Sequence, residues 1–196
     1  MIALVDYGMG NRRSVEKAFE HVGARPVRTS DPDVIARSER IVLPGVGAFP
    51  RAMERLHELG LVELLRARVA AGAHLLGICL GMQLLFERTE ELGGAEGLGL
   101  LAGSVTALEA PRVPHIGWNR VEPARASALM DGPEAYYHVH SFACRPATDD
   151  VVVGRASYGE TFASIVARGN VAGVQFHPEK SSRAGLDLLR RWWNGA

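Results

Sequence analysis

Cys79 and His177 are the two side chains of this sequence whose settings suit covalent chemistry. Cys79 lies in Gly77-Ile78-Cys79-Leu80-Gly81, a Gly-x-Cys-x-Gly pattern between the apolar run His74 to Ile78 and a helical stretch, Leu80 to Phe86. A nucleophile at such a strand-to-helix turn sits in a strained backbone conformation, and a glycine two residues to either side leaves room for the bend. The helix N-terminus that follows favours a thiolate. The Leu80 N–H then points to where an oxyanion would form. Alone, the pattern fits a small buried cysteine equally well, since glycine supplies 22 of the 196 residues. A base within reach would decide between the two readings.

Seven histidines compete for that role. His21 and His57 fall late in amphipathic helices and read as solvated, and His74 opens the cysteine strand. His115 belongs to Pro114-His115-Ile116-Gly117-Trp118-Asn119, and His138 and His140 to Tyr137-His138-Val139-His140-Ser141-Phe142. His177 ends the apolar run Val171 to Phe176 and precedes Pro178 and Glu179. Ends of strands are where parallel-sheet enzymes carry their chemistry, and a residue before proline is held extended. Proline then turns the chain, which can swing Glu179 back to one ring nitrogen. Cys79, His177 and Glu179 thus read as nucleophile, base and orienting carboxylate. The same histidines show no H-x-x-x-H or C-x-x-C spacing, so no metal site is expected.

Positioning these groups requires a sheet. Ile2 to Val5, Arg40 to Leu43 and His74 to Ile78 read as buried strands. Ser14 to Val22, Pro50 to His57 and Leu61 to Ala71 read as helices between them. That alternation predicts an α/β fold, a largely parallel central sheet with helices on both faces. Beyond the glycine-rich Gly93 to Gly99 the character changes. Val113 to Val121, Ala135 to Phe142, Val151 to Ser157, Thr161 to Ala167 and Val171 to Phe176 predict an added antiparallel or mixed β portion. A helix from Ala184 to Asn194 follows. No linker, repeat or charge block divides the chain, so one domain over 1–196 is expected.

Twenty-two basic residues balance twenty-two acidic ones, which argues against a general nucleic-acid or anionic-membrane binder. The start, Met1 to Asn11, reads as a strand and not as a signal peptide. Two cysteines without framework spacing fit a reduced, cytoplasmic protein.

Gly77-Ile78-Cys79-Leu80-Gly81-Met82-Gln83 with His177-Pro178-Glu179 resembles the class I, triad-bearing glutamine amidotransferase family over the whole chain. Four further segments resemble one branch of it: Asp6 to Asn11, Pro44-Gly45-Val46-Gly47-Ala48-Phe49, His115 to Asn119 and Tyr137 to Ser141. The resemblance implies the three-layer fold of that family and hydrolysis of L-glutamine through a thioester, with no cofactor. It implies oxyanion donors at Leu80 and, after the loop reorients, Val46. It assigns substrate contacts to Gly45, Gly47, Gln83, Glu91, His140, Ser141 and Phe142. Phe142 departs from the tyrosine more familiar there. The branch implies a heterodimer with a cyclase subunit, a (β/α)8 barrel of histidine biosynthesis, met through Asn11, Trp118, Tyr137 and Lys180. A glutaminase subunit of pyridoxal 5′-phosphate synthase would carry a Gly-Gly-Glu-Ser-type segment in place of Pro44 to Phe49. A cysteine peptidase or chaperone-like protein of similar fold would carry a histidine directly after Cys79, where Leu80 stands.

Overall fold

Alternate residues of the first strands belong to different faces, and that alternation builds the layers. The computed structural model describes residues 1–195. Strands β1 (Ile2–Val5), β2 (Pro26–Thr29), β3 (Arg40–Gly45) and β4 (His74–Cys79) alternate with helices α1 (Arg12–His21), α2 (Pro32–Ala36), α3 (Phe49–Glu58) and α4 (Leu61–Ala70). One turn of helix, α5 (Leu80–Gln83), follows β4. Then come β5 (Phe86–Thr89), β6 (Ala95–Glu96), β7 (Leu101–Ala107), β8 (His115–Pro123), β9 (Glu134–His140) and β10 (Phe142–Pro146). Strands β11 (Val152–Tyr158), β12 (Glu160–Arg168) and β13 (Val171–Val174) lead to the helix α6 (Ser182–Trp193).

The main sheet has nine strands in the order β2-β1-β3-β4-β13-β12-β11-β8-β9. Pairs from β2 to β13 are parallel, and those from β13 to β9 are antiparallel. Ala3, Val5, Ile41, Leu43 and Leu75 pack with Ala52, Met53, Leu56, Leu61 and Leu65 of α3 and α4. Ile2, Leu4, Val42, Leu76 and Ile78 pack on the other face with Val15, Phe19, Leu188, Leu189 and Trp192 of α1 and α6. A second sheet, β10-β7-β5-β6, adds Phe86, Leu101, Val105 and Cys144 to the first of these cores. Among the described residues no helix is long and apolar enough to cross a membrane.

Two local expectations change. The helix expected from Leu80 to Phe86 is a single turn, because Phe86 enters β5 and pairs with Leu101 of β7. The run Ala135 to Phe142 is not one strand: it breaks at Ser141, with β9 in the main sheet and β10 in the small one. The expected antiparallel β portion is present and continues the parallel strands in one mixed sheet through β13. The edge strand β2 escaped the sequence reading because its four residues are partly or fully exposed and carry no apolar run.

Candidate active site

The elbow is as strained as its glycines imply. Cys79 has φ 56° and ψ −111° at the junction of β4 and α5, a region that non-glycine residues rarely occupy. A Cβ on Gly77 would stand 2.5 Å from the Gly81 carbonyl oxygen, and one on Gly81 would stand 1.8 Å from that of Leu43. The two glycines therefore serve packing as well as bending: they let the turn lie against itself and against β3. Cys79 is buried and lines a cavity.

His177 follows β13, and Pro178–Lys180 forms a 3₁₀ turn. The turn brings Glu179 Oε1 to 2.9 Å from His177 Nδ1. The second Glu179 oxygen is buried without a partner. The backbone here is clamped to β9. The His177 N–H donates to the Tyr137 carbonyl at 2.9 Å, the Tyr137 N–H donates to Ser181 Oγ at 2.9 Å, and that hydroxyl donates to the His177 carbonyl at 2.7 Å. Burial alone would strip the proton from His177. Hydrogen bonding to Cys79 and Glu179 outweighs it and pushes the imidazole up to about 10. The direction of that shift favours the protonated ring.

Cys79 and His177 open onto a cavity of about 320 Å³, the size of site that suits an amino acid or similar small ligand. Of the residues expected around a substrate, Gly47, Gln83, Glu91, His140, Ser141 and Phe142 line it, with Val46, Leu80 and Lys180. Gly45 does not: it lies beneath the wall, where a Cβ would meet the Tyr7 hydroxyl at 2.5 Å. That hydroxyl donates to the Pro44 carbonyl at 2.8 Å and so fastens the base of the Gly45-Val46-Gly47 loop. Glu91 Oε2 accepts the Phe49 N–H at 2.8 Å. Gln83 spends both amide hydrogens inside the protein, on the Phe142 carbonyl at 3.1 Å and Gln175 Oε1 at 3.2 Å.

The residues expected at an interface lie outside the cavity, apart from Lys180. Trp118 is 55% exposed and meets Tyr137 edge-on at 6.2 Å between ring centroids. Lys180 Nζ stands 6.0 Å above the Tyr137 ring. These three thus run from the surface of β8 to the mouth of the site. Ile116 and Val113 are exposed apolar neighbours of Trp118 in the chain. Asn11 caps α1 through Ser14, at the end of a loop whose Gly10 packs on Gly45.

Two features escaped the sequence reading. Gln175 is fully buried beside Cys79, and its signal was a lone polar residue inside the apolar run before His177. The second is a directed imidazole chain. His140 Nδ1 must donate to the Phe142 carbonyl at 2.8 Å, so its Nε2 accepts from His115 Nδ1 at 3.0 Å. His115 Nε2 then accepts from Asn119 Nδ2 at 3.4 Å. Burial lowers the pKa of both rings, that of His140 to about 4. Two neutral histidines thereby support the strand break at Ser141.

A cysteine on a strained elbow, a histidine bonded to a buried carboxylate, and an amino-acid-sized cavity at the carboxyl end of a parallel sheet form an arrangement suited to nucleophilic acyl chemistry. The model of the family described as glutamine amidotransferase class-I matches residues 3–193, and the chain belongs to that family. It is 50% identical over 197 residues to the imidazole glycerol phosphate synthase subunit HisH of Bacillus cereus (strain G9842), covering 98% of this chain and 93% of that one. It is 46% identical over 196 residues to the subunit of the same name from Bacillus anthracis (strain CDC 684 / NRRL 3495), with the same coverage. Among solved structures, a glutamine amidotransferase superposes with a TM-score of 0.81 at 20% identity, over 99% of this chain and 98% of that one. The structure described as PurLQS from Thermotoga maritima superposes at 0.73 and 20% identity, over 98% and 97%. At such identities these two speak to the fold alone.

Proposed function

We propose that this chain is the glutaminase subunit of imidazole glycerol phosphate synthase, acting in the cytoplasm as one domain over 1–196. It hydrolyses L-glutamine to glutamate and ammonia. The observation that carries the chemistry is the strained Cys79 beside a His177 held at 2.9 Å by buried Glu179. The similarity of about half of all residues to subunits of that name supports the pathway. The Cys79 sulfur attacks the side-chain carbonyl carbon of glutamine, and the N–H groups of Leu80 and Val46 receive the oxyanion. His177 gives its proton to the amide nitrogen, ammonia leaves, and a glutamyl thioester remains. Water then adds to the thioester while His177 takes its proton, releasing glutamate and the thiolate. Gly47, Gln83, Glu91 and the His140 to Phe142 segment hold the substrate. Gln83 does so with the one amide oxygen its internal bonds leave free.

Ammonia passes to a cyclase subunit, a (β/α)8 barrel, which makes imidazole glycerol phosphate and AICAR. Trp118, Tyr137, Asn11 and Lys180 meet that partner. The exposed indole on the face leading to the cavity mouth supports this placement. Glutamate release from L-glutamine, alone and with the cyclase and its nucleotide, tests the reading. Cys79→Ala should abolish release yet leave ammonia-fed cyclisation by the partner intact. No release by the wild-type protein in either state would overturn it.

A further inference from the structure

Gln175 has no part in the scheme above, yet its side chain touches the reacting sulfur. Its backbone N–H donates to the Ser164 carbonyl at 2.9 Å, extending the β12–β13 ladder by one residue, so the sheet fixes its place. Its carboxamide lies between Gln83, with Oε1 at 3.2 Å, and Cys79, with Nε2 at 3.9 Å from Sγ.

The orientation of that amide follows from its neighbours. Gln83 Nε2 faces two oxygens, the Phe142 carbonyl and Gln175 Oε1. Turned over, Gln83 would set its own oxygen against a carbonyl that can only accept. His140 Nδ1 occupies the other side of the Phe142 oxygen and holds it still. With Gln83 fixed, the oxygen of Gln175 must face Gln83, and its NH2 must face the sulfur. The thiol hydrogen has a different partner, the Val139 carbonyl at 3.7 Å. Once that hydrogen leaves, the carbonyl repels the sulfur, and the thiolate needs donors. The other titratable groups beside Cys79 are His177, whose protonated ring also donates to the sulfur in wild type and in every Gln175 or Gln83 variant, and Tyr7 and Cys144, both pushed upward by burial and both neutral.

We propose that Gln175 is a catalytic residue of this site: its carboxamide N–H donates to the Cys79 thiolate before attack and again when the sulfur leaves the thioester. Gln83 is the positioning residue that aims it. The assignment rests on Cys79 being the nucleophile.

Alkylation of Cys79 by iodoacetamide across pH, read by mass spectrometry on the full chain, reports the thiolate without any substrate. Gln175→Leu removes the donor at similar size, and the half-maximal pH should rise by about one unit, as expected for loss of one hydrogen bond to a charge. Gln175→Glu keeps the shape and the bond from Gln83 but faces the sulfur with a carboxylate, so the rise should be larger. The glutamate variant decides if the leucine variant does not fold. Gln83→Leu, which frees the amide to turn, should shift the midpoint the same way by less and decides if neither folds. Cys144, fully buried, must stay unreactive in every folded variant. Midpoints within about 0.3 unit of wild type in the folded variants would overturn the proposal. Failure of the nucleophile reading has a different signature: wild-type Cys79 would react no faster than Cys144, and glutamate release would survive Cys79→Ala.

Discussion

Replacing Glu179 by glutamine changes almost no volume and should nonetheless disable the triad, through the proton on His177. Glu179 gives one oxygen to His177 Nδ1 at 2.9 Å, while the other is buried with no partner. A glutamine side chain has two ways to fill that space. With its oxygen toward the ring, its NH2 falls where no acceptor exists, and a buried orphan donor costs about 1–3 kcal/mol. With its NH2 toward the ring, it donates to Nδ1, and its oxygen takes a position where an oxygen already lacks a partner. The second arrangement is favoured by roughly 5- to 150-fold on that difference alone. It leaves a neutral ring with its one proton on Nε2, the nitrogen left for Cys79, so the imidazolium that pairs with the sulfur and supplies the leaving group is lost. The missing carboxylate charge adds to the loss, since it also holds the imidazolium. A fall in kcat of about 10²–10⁴ is expected, the upper end matching the comparable change in a serine triad. Glutamate release at saturating glutamine in the presence of the cyclase measures it, and ¹⁵N NMR of the ring reports the tautomer. A kcat within about tenfold of wild type, or a ring still protonated on both nitrogens at neutral pH, would refute the reasoning. The same variant has a stability signature. His177 is raised to about 10 from 6.5, so its contribution is complete below about pH 6.5 and is lost as pH climbs toward 10. The gap in thermal midpoint between wild type and Glu179→Gln should therefore be wide at pH 6 and close by pH 10.

Three further outcomes test other parts of the account. Gly81→Ala places a Cβ 1.8 Å from the Leu43 carbonyl oxygen, where about 3.4 Å is ordinary. Backbone must move, and calorimetry should show Tm lowered by at least about 4 °C with activity lost; an unchanged Tm would mean the elbow is looser than its packing. Burial, with the neighbouring His140, holds His138 at about 3, and burial holds His140 at about 4. Because the unfolded chain takes up these protons first, stability in urea titrations should fall between pH 6.5 and 5, by up to about 1.4 kcal/mol per pH unit for each ring. His138→Gln should remove that ring's share of the slope, and a slope unaltered by it would count against a neutral buried ring. Trp118→Ala should weaken binding of the cyclase by about 2 kcal/mol, near 30-fold, with unstimulated glutamate release unchanged. An unaltered Kd would move the interface elsewhere.

The sequence by itself determined the parts of this protein that are built from neighbours in the chain. Gly77 to Gly81 could be read as an elbow because a strand, a strained residue and a helix turn need only contiguous residues, and Cys79 has the backbone that this demands. His177, Pro178 and Glu179 could be read as a base with its carboxylate because a proline turn brings residues two apart face to face. Strands β1, β3 and β4 of the parallel half were legible for the same reason, through runs of apolar residues separated by amphipathic helices, while the exposed edge strand β2 was not. Tertiary structure alone decided where those pieces meet. The run through Ser141 looks continuous, and only pairing with β8 on one side and β7 on the other splits it between two sheets. The shortened helix after Cys79 has the same origin, since Phe86 is drawn into pairing with Leu101. Gln83 and Gln175 are 92 positions apart and His115 and His140 are 25 apart, so neither pairing has a local pattern to reveal it. A buried amide or imidazole is tolerated only where its partners already stand. Those partners arrive from distant strands, and no spacing along the chain records their arrival.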